Sequence, residues 1–209
     1  MKSFSTIIIL LSSLSLCGQT LKYDVIKGSK TLGEMIVKRE ITGNVEEISF
    51  ESDVTFRLLF SFNLKFSQYE KFQSGKLNWG KAVSRLNGRT QKDSKIVNSD
   101  KGQMLTLDGV TVEIKEPINY SVSQIYYHEP KDGQKVFSQQ FGQFLTFSKV
   151  KEHKYVLPSP DGDNYYTYKN GICIRVDVER DFANFHFDLQ PKALEAVNAK
   201  ADSLFVTPN

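Results

Sequence analysis

Residues 47–67 read EISFESDVTFRLLFSFNLKFS, and the alternation within this stretch predicts the fold class. Most of its apolar side chains fall on even-numbered positions, among them Ile48, Phe50, Val54 and Phe56, then Phe60, Phe62, Leu64 and Phe66. Most odd-numbered positions carry charged, hydroxyl or amide side chains. Because successive residues of a strand point to opposite faces, the pattern predicts two β-strands with one apolar and one polar face. Such strands are typical of an antiparallel sheet that is solvated on one side.

Turn signals elsewhere predict that the sheet continues along the chain. Asn-Gly or Asp-Gly pairs stand at 87–88, 108–109 and 170–171. Both residues of such a pair tolerate the positive φ of a two-residue hairpin turn. Further strands are predicted at 21–25 and 185–189, where apolar residues again occupy alternate positions. Hairpin-connected strands are therefore expected over most of the chain.

Two segments have helical spacing. Pro117 can open a helix, because its missing N–H is not needed in the first turn. The residues after it that share one helical face before Pro130 are Ile118, Val122, Ile125 and Tyr126. A second stripe follows Pro191 and consists of Ala193, Leu194, Val197, Ala201 and Leu204. We therefore predict a mainly β protein: a single strongly curved antiparallel sheet, as a half-barrel or open barrel, with one central helix and a short C-terminal helix.

Residues 1–18 have the order of a secretory signal peptide. A positive Lys2 precedes a short apolar run, and the small Gly18 suits a cleavage site. The run is about half of the ~20 residues that a transmembrane helix needs, and no later segment qualifies, so we expect no membrane span. The prediction is a signal peptide, 1–18, and a single antiparallel β domain, 19–209, exported to the periplasm or the cell exterior. Lipidation at Cys17 is the alternative, which Leu16 disfavours because a small residue usually precedes a lipidated cysteine.

Charge and cysteine content argue against two kinds of site. The 209 residues carry a formal net charge of +3 without a basic block. Phosphate backbones are bound by concentrated Lys and Arg, so we expect no nucleic-acid partner. After cleavage behind Gly18, Cys173 would be the one cysteine left, which forms no internal disulfide and offers no cysteine pair for zinc. Cys173 is interpreted as a half-buried strand residue.

Three groups of polar residues suit catalysis or metal binding, but each has a simpler structural interpretation. His128 beside Glu129 fits acid–base chemistry, but its place where a helix would break before Pro130 favours a surface turn or cap. His186 and Asp188 share a strand face, but a third metal ligand at a fixed spacing is missing. Residues 161–164 are rich in oxygen but lack the spacing of a calcium loop. Because no nucleophile elbow, P-loop or dinucleotide fingerprint is found, we predict no catalytic residue, metal or cofactor.

The apolar stripe Phe60, Phe62, Leu64 and Phe66 is the candidate ligand-binding site. One interpretation is plain core, in which these side chains contact only other side chains. The other is that a curved sheet leaves part of this face as the wall of an apolar cavity, as in pockets for hydrophobic ligands. The partner would then be a hydrophobic small molecule or a lipid.

Short motifs spread over the chain combine into a family pattern. They are LKYDV at 21–25 with Gly28 and 32–33, the pair at 87–88, IYYHEP at 125–130, VFS at 136–138 with Gly142, and YTYKNG at 166–171. Together they resemble a family of exported proteins from Bacteroidetes-type Gram-negative bacteria, a domain family of unknown function. The resemblance implies export and a curved antiparallel sheet, and it brings no activity and no site residues. At the level of the fold alone, the opening also resembles the half-barrels of periplasmic lipoprotein carriers, which hold acyl chains.

These observations favour an exported cell-envelope protein that is not an enzyme and that binds a hydrophobic or lipid ligand on the concave sheet face. The alternative is an interaction module that holds envelope proteins together through the polar sheet face. A hydrolase is a third alternative, although the sequence places no nucleophile beside a base.

Overall fold

The computed structural model describes residues 17–57, 61–100, 102–180 and 184–195. Within these ranges the chain forms fifteen strands. They are β1 (Cys17–Lys27), β2 (Lys30–Thr42), β3 (Val45–Arg57), β4 (Ser61–Gln73), β5 (Lys76–Leu86), β6 (Arg89–Ser99), β7 (Gly102–Leu107), β8 (Val110–Ile114), β9 (Lys135–Ser138), β10 (Gln143–Thr146), β11 (Ser148–Lys151), β12 (Lys154–Ser159), β13 (Gly162–Lys169), β14 (Ile172–Val178) and β15 (Phe185–Leu189). The prediction of a mainly β protein is confirmed.

Thirteen of these strands form one antiparallel sheet in the order β11-β12-β13-β14-β15-β1-β2-β3-β4-β5-β6-β7-β8. Hairpins connect neighbours almost throughout, and β15 pairs with β1, with Val25 opposite Phe187. Strands β8 and β11 are the two edges. Residues 115–147 connect these edges across one face of the sheet and include β9 and β10, which pair with each other. We call residues 115–147 the crossing segment, and the face that it covers the inner face.

The alternation in residues 47–67 places apolar side chains on the inner face. Strands β3 and β4 pair with Phe56 opposite Phe62 and Val54 opposite Leu64. Val54 and Phe56 are buried, whereas Glu51 on the other face is exposed. The predicted alternation is confirmed for the described part of this stretch.

The predicted hairpin turns are also confirmed. Both residues have positive φ at 87–88, 108–109 and 170–171. Ser74 and Gly75, with φ of 52° and 76°, form a further turn of this kind between β4 and β5. Sequence reasoning missed it because Asn and Asp, but not Ser, are enriched at positive φ.

The central helix predicted for residues 117–130 is wrong. The helical structure described there is a 3₁₀ helix of three residues, Gln124–Tyr126. The Val122 N–H donates to the Phe137 carbonyl (3.0 Å), and the Phe137 N–H donates to the Tyr120 carbonyl (2.9 Å). The backbone therefore bonds to β9 instead of to its own next turn.

Two hydrophobic cores explain why this segment is extended. The larger core lies against β1–β3 and β12–β15 and includes Tyr23, Met35 and Ile125, all fully buried. The smaller core lies against β4–β7 and consists of Phe72, Leu77, Ile96, Leu105, Ile118 and Phe137. Ile118 and Ile125, which would share one helical face, thus belong to different cores. An extended chain can reach both, and a helix would turn both side chains toward one.

The predicted strongly curved half-barrel or open barrel is not observed. The sheet is neither closed nor strongly curled, and among the described strands β8 and β11 form no ladder with each other. The crossing segment lies on the inner face, and its Phe137 and Phe147 side chains are buried.

The two ends of the chain are described only in part. Residues 191–195 are helical, which confirms a short C-terminal helix, while the predicted Val197, Ala201 and Leu204 lie outside the described residues. Residues 1–16 of the predicted signal peptide also lie outside them, and export stays a prediction. In the part of the chain that the structure describes, no helix is long and apolar enough to cross a membrane.

Candidate functional site

A cavity of about 770 Å³ opens on the inner face between two parts of the sheet. Strands β3, β4 and β5 form one wall, and β13–β15 with the loop after β12 form the opposite wall. Val122, Ser123 and Tyr126 of the crossing segment form the floor. A cavity of this size lies within the ~300–1,000 Å³ range of small-molecule sites.

The predicted ligand-binding residues of β4 lie on the wall of this cavity. Phe62, Leu64 and Phe66 line it and are half-buried, while Phe60 lies outside the described residues. Their partial exposure distinguishes them from Phe72, which lies on the same strand and is 1% exposed. The structure thus places three residues of the stripe on the cavity wall, and the use of the wall as a ligand site stays a prediction.

Aromatic rings continue from this wall to the floor. Phe62 stacks on Phe56 with 5.1 Å between ring centroids. Phe66 meets Phe50 edge to face at 5.3 Å, and Phe50 lies 5.5 Å from Tyr126. These are favourable separations for aromatic pairs. The rings offer a continuous apolar surface along the length of the cavity.

Beyond Phe66 along β4, the next two side chains on the inner face are polar instead of aromatic. Gln68 lines the cavity, and Glu70, two residues further along the same face, is fully buried. The Glu70 carboxylate accepts hydrogen bonds from the Ser121 and Ser123 hydroxyls and, at 2.8 Å, from the Gln68 amide. Burial raises the pKa of Glu70, and these three bonds oppose the rise. Sequence reasoning missed the cluster because its serines are 51 and 53 residues from Glu70.

A second polar cluster ties the floor to the sheet. Glu46 of β3 accepts hydrogen bonds from Arg39 Nε at 2.5 Å and from Gln124 Nε2 at 2.8 Å. Arg39 Nη2 lies 3.0 Å from His128 Nε2. Burial by itself raises the pKa of Glu46, but the His128 imidazole, the Arg39 charge and the Gln124 amide together lower it to about 2. The Glu46 carboxylate is therefore ionised at neutral pH and holds the crossing segment against β2 and β3.

Charged and polar side chains line the opposite end, which we call the mouth of the cavity. They are Asp161 and Asn164 beside the β12–β13 turn, and Arg180 after β14. Arg180 Nη1 donates to the carbonyls of Glu179 (2.7 Å) and Asp163 (3.3 Å), and Nη2 donates to Asn164 Oδ1 (3.0 Å). Burial lowers the pKa of Arg180, while the Asp161 charge opposes this. The guanidinium group of Arg180 thus bonds to the oxygen-rich loop 161–164.

The other sequence candidates lie apart from the cavity floor. Glu129 accepts a hydrogen bond from Tyr155 and contacts His153 Nδ1 at 3.0 Å, whereas His128 turns toward Arg39. His186 Nε2 lies 3.3 Å from Asp188 Oδ2 beside a smaller cavity of about 310 Å³. Among the described residues, no three His, Cys, Asp or Glu side chains form a group that could hold a metal ion.

Cys173 is more deeply buried than expected. Its side chain has no exposed surface, which corrects the half-buried interpretation, and burial raises the pKa of its thiol. The Tyr23 hydroxyl donates to its carbonyl at 2.7 Å, which links β1 to β14 across the larger core. Cys173 is therefore part of the packing of the inner face.

Comparisons with known proteins add a family and a fold. A family model described as a domain of unknown function (DUF6134) matches residues 23–190. No curated protein matches the chain. Among solved structures, the chain is similar to the crystal structure of a β-barrel-like protein of domain of unknown function DUF1849 from Brucella abortus, with a TM-score of 0.51 and 9% sequence identity. The similarity covers 85% of this chain and 98% of that one. At this identity the likeness concerns the fold alone.

Proposed function

Since the chain belongs to the DUF6134 family of domains of unknown function, we propose a function from the cavity itself: the protein binds a hydrophobic or lipid ligand there and does not catalyse a reaction. The observation that carries this proposal is the cavity of about 770 Å³ with an aromatic wall. Apolar surface that faces a cavity is stabilised when a ligand removes it from water.

The distribution of side chains supports an elongated apolar ligand. Phe62, Leu64 and Phe66 follow one another along β4, so the wall extends over three inward positions of one strand. Inward positions on a strand are about 7 Å apart, since each residue advances the strand by ~3.3 Å. The wall therefore suits a chain rather than a compact ring.

The setting we propose is the cell envelope. The order of residues 1–18 supports export, because a charged start, a short apolar run and a small residue at the cleavage point form a signal peptide pattern.

Titration with a fluorescent long-chain fatty acid tests the proposal. We expect saturable binding with one probe per folded protein. Leu64→Trp adds bulk to the cavity wall and should displace the probe. In a filled core the same change would cost about 1–3 kcal/mol of stability through strain, and here it should cost less because the ring has room.

Lys65→Trp is the matched control, since Lys65 is the next residue of β4 and is exposed on the opposite face. It should leave probe binding unchanged. If the wild type binds no probe and Leu64→Trp loses stability as a filled core would, the cavity is packing space and the proposal is wrong.

A second candidate function, an interaction module, is favoured by the sheet edges. Val110 and Val112 on the edge strand β8 are 66% and 48% exposed, and Val150 on the other edge strand, β11, is 51% exposed. Exposed edges with apolar side chains can pair with further strands. If two copies pair through β8, sedimentation should detect a dimer that Val112→Lys abolishes, whereas a monomer at every concentration would exclude this pairing.

A further inference from the structure

We propose that Arg180 binds the anionic head group of a single-chain amphiphile whose hydrocarbon chain lies in the cavity along Phe62 and Phe66. This inference rests on the proposed function and names the class of ligand. The carboxylate of a fatty acid and the phosphate of a lysophospholipid share the required chemistry, which is one anion attached to one long chain.

Arg180 is a cation at the mouth whose hydrogen bonds go to neutral acceptors. These acceptors are two backbone carbonyls and the Asn164 amide oxygen. Within the described ranges, Arg180 takes part in no ion pair, and no acceptor bonds its Nε–H or its second Nη2 N–H. A guanidinium group has five N–H donors, and its edge matches the two oxygens of a carboxylate or phosphate. Among the described residues, the Nε–H and one Nη2 N–H are therefore available to an anion.

The loop around Arg180 is shaped to hold the guanidinium in place. Gly162 has φ of +114°, and a Cβ atom there would meet the Glu179 carbonyl oxygen and lie 3.2 Å from Arg180 Nη1. Only glycine leaves room for the arginine beside this turn. Arg180 is half-buried, so its charge is partly desolvated and a bound anion would be screened less than at an exposed site.

Acidic residues near Arg180 set a condition on the ligand. Asp161 lines the same mouth, and the charges of Asp161 and Asp163 act on Arg180. They stabilise its protonated form without pairing with it. An anionic head group must therefore contact the guanidinium directly, because two carboxylates near one guanidinium leave the mouth without a net positive charge.

The cavity volume accommodates one hydrocarbon chain. If a methylene group takes the ~30 Å³ that a water molecule occupies in the liquid, a chain of 16 carbons needs ~480 Å³. One such chain and a head group fit into about 770 Å³. The aromatic wall then contacts the chain, and the mouth contacts the head group.

Calorimetric titration of the wild type with palmitate, 1-palmitoyl lysophosphatidate and hexadecanol tests this inference. The three ligands carry the same chain length and differ in the head group. The variants are Arg180→Gln and Arg180→Lys, with Lys149→Gln on the exposed edge strand β11 as a control for the same loss of charge. Circular dichroism checks that each variant is folded.

We expect the wild type to bind at least one of the two anions about ten-fold or more tightly than hexadecanol, and the anion preferred identifies the head group. Arg180→Gln should remove this preference and keep hexadecanol binding. Arg180→Lys should keep part of it, because a lysine retains the charge but not the two-pronged edge. Lys149→Gln should behave as the wild type.

Equal binding of hexadecanol and both anions by the wild type would overturn the inference and leave the proposed function intact. An undiminished preference for the anion in Arg180→Gln would also overturn it. Binding of none of the three ligands would refute the proposed function instead. The comparison of ligands on the wild type holds even if Arg180→Gln fails to fold.

Discussion

Replacement of Glu46 by glutamine should remove most of the stability that the ionised Glu46 carboxylate contributes at neutral pH. The Glu46 carboxylate joins β3 to Arg39 on β2 and to Gln124 in the crossing segment, with bonds of 2.5 and 2.8 Å. Burial raises its pKa, but His128, Arg39 and Gln124 outweigh burial and lower it from 4.5 to about 2. The folded protein thus binds the proton at Glu46 more weakly than the unfolded chain does.

The sign and size of the effect follow from this difference. A lowered pKa contributes stability that is complete above pH 4.5 and is lost as the pH falls toward 2. A difference of one in pKa between the folded and unfolded states corresponds to ~1.4 kcal/mol of stability, so Glu46 contributes about 3 kcal/mol at neutral pH. At pH 3 about 1.4 kcal/mol of it remains, so about 2 kcal/mol is lost between pH 6 and pH 3. The Glu46 side chain is 16% exposed, so solvent screening reduces this value little.

Urea unfolding of the wild type and Glu46→Gln at pH 6 and pH 3 measures this contribution. The difference in unfolding free energy between the two proteins should shrink by about 2 kcal/mol at the lower pH. Glu51→Gln is the matched control, because Glu51 is an exposed carboxylate on the opposite face of β3. A difference between wild type and Glu46→Gln that is the same at both pH values would show that Glu46 makes no pH-dependent contribution to stability.

Three further predictions concern the inner face. Phe72→Ala should lower the free energy of unfolding by about 3–5 kcal/mol, because Phe72 is fully buried, whereas Phe62→Ala at the cavity wall should lower it by about 1–3 kcal/mol. Equal losses of stability in urea unfolding would mean that the wall is filled. Gly162→Ala should lower stability by about 1–3 kcal/mol, since φ is +114° and the new Cβ meets the Glu179 carbonyl, and an unchanged melting temperature would contradict this. Burial raises the pKa of Glu70, so the wild type should lose stability relative to Glu70→Gln as the pH rises above about 4; the opposite trend would show that the serine hydrogen bonds outweigh burial.

Local signals in the sequence were sufficient for the strands of residues 47–67 and for three of the hairpin turns. The alternation in residues 47–67 and the pairs at 87–88, 108–109 and 170–171 act within one strand or one hairpin, and the structure confirms them. The C-terminal helix at 191–195 is likewise local.

Features that depend on distant parts of the chain were not predicted correctly. The helical spacing of Ile118 and Ile125 is real, but the two residues pack into different cores, so tertiary contacts override the local pattern. The strong curl was wrong for a similar reason, because the curvature of a sheet depends on contacts between distant strands and with the crossing segment, which the alternation of any one strand does not show.

The candidate site was predicted in part. The stripe on β4 identified three residues of the cavity wall, because its alternation is local. Arg180 and Glu70 were missed, since each acquires its role from residues on other strands and loops. Periodicity can therefore locate an apolar wall, whereas the polar residues at the ends of the cavity can be identified only from the three-dimensional structure.

Native mass spectrometry of protein purified without detergent or denaturant shows whether the cavity holds a hydrocarbon chain. We expect a 1:1 adduct with the mass of a single-chain lipid, which dissociates as one species and is absent from Leu64→Trp but present in Lys65→Trp. Protein that carries no adduct, and that forms none after incubation with palmitate, lysophosphatidate or hexadecanol, would contradict this expectation.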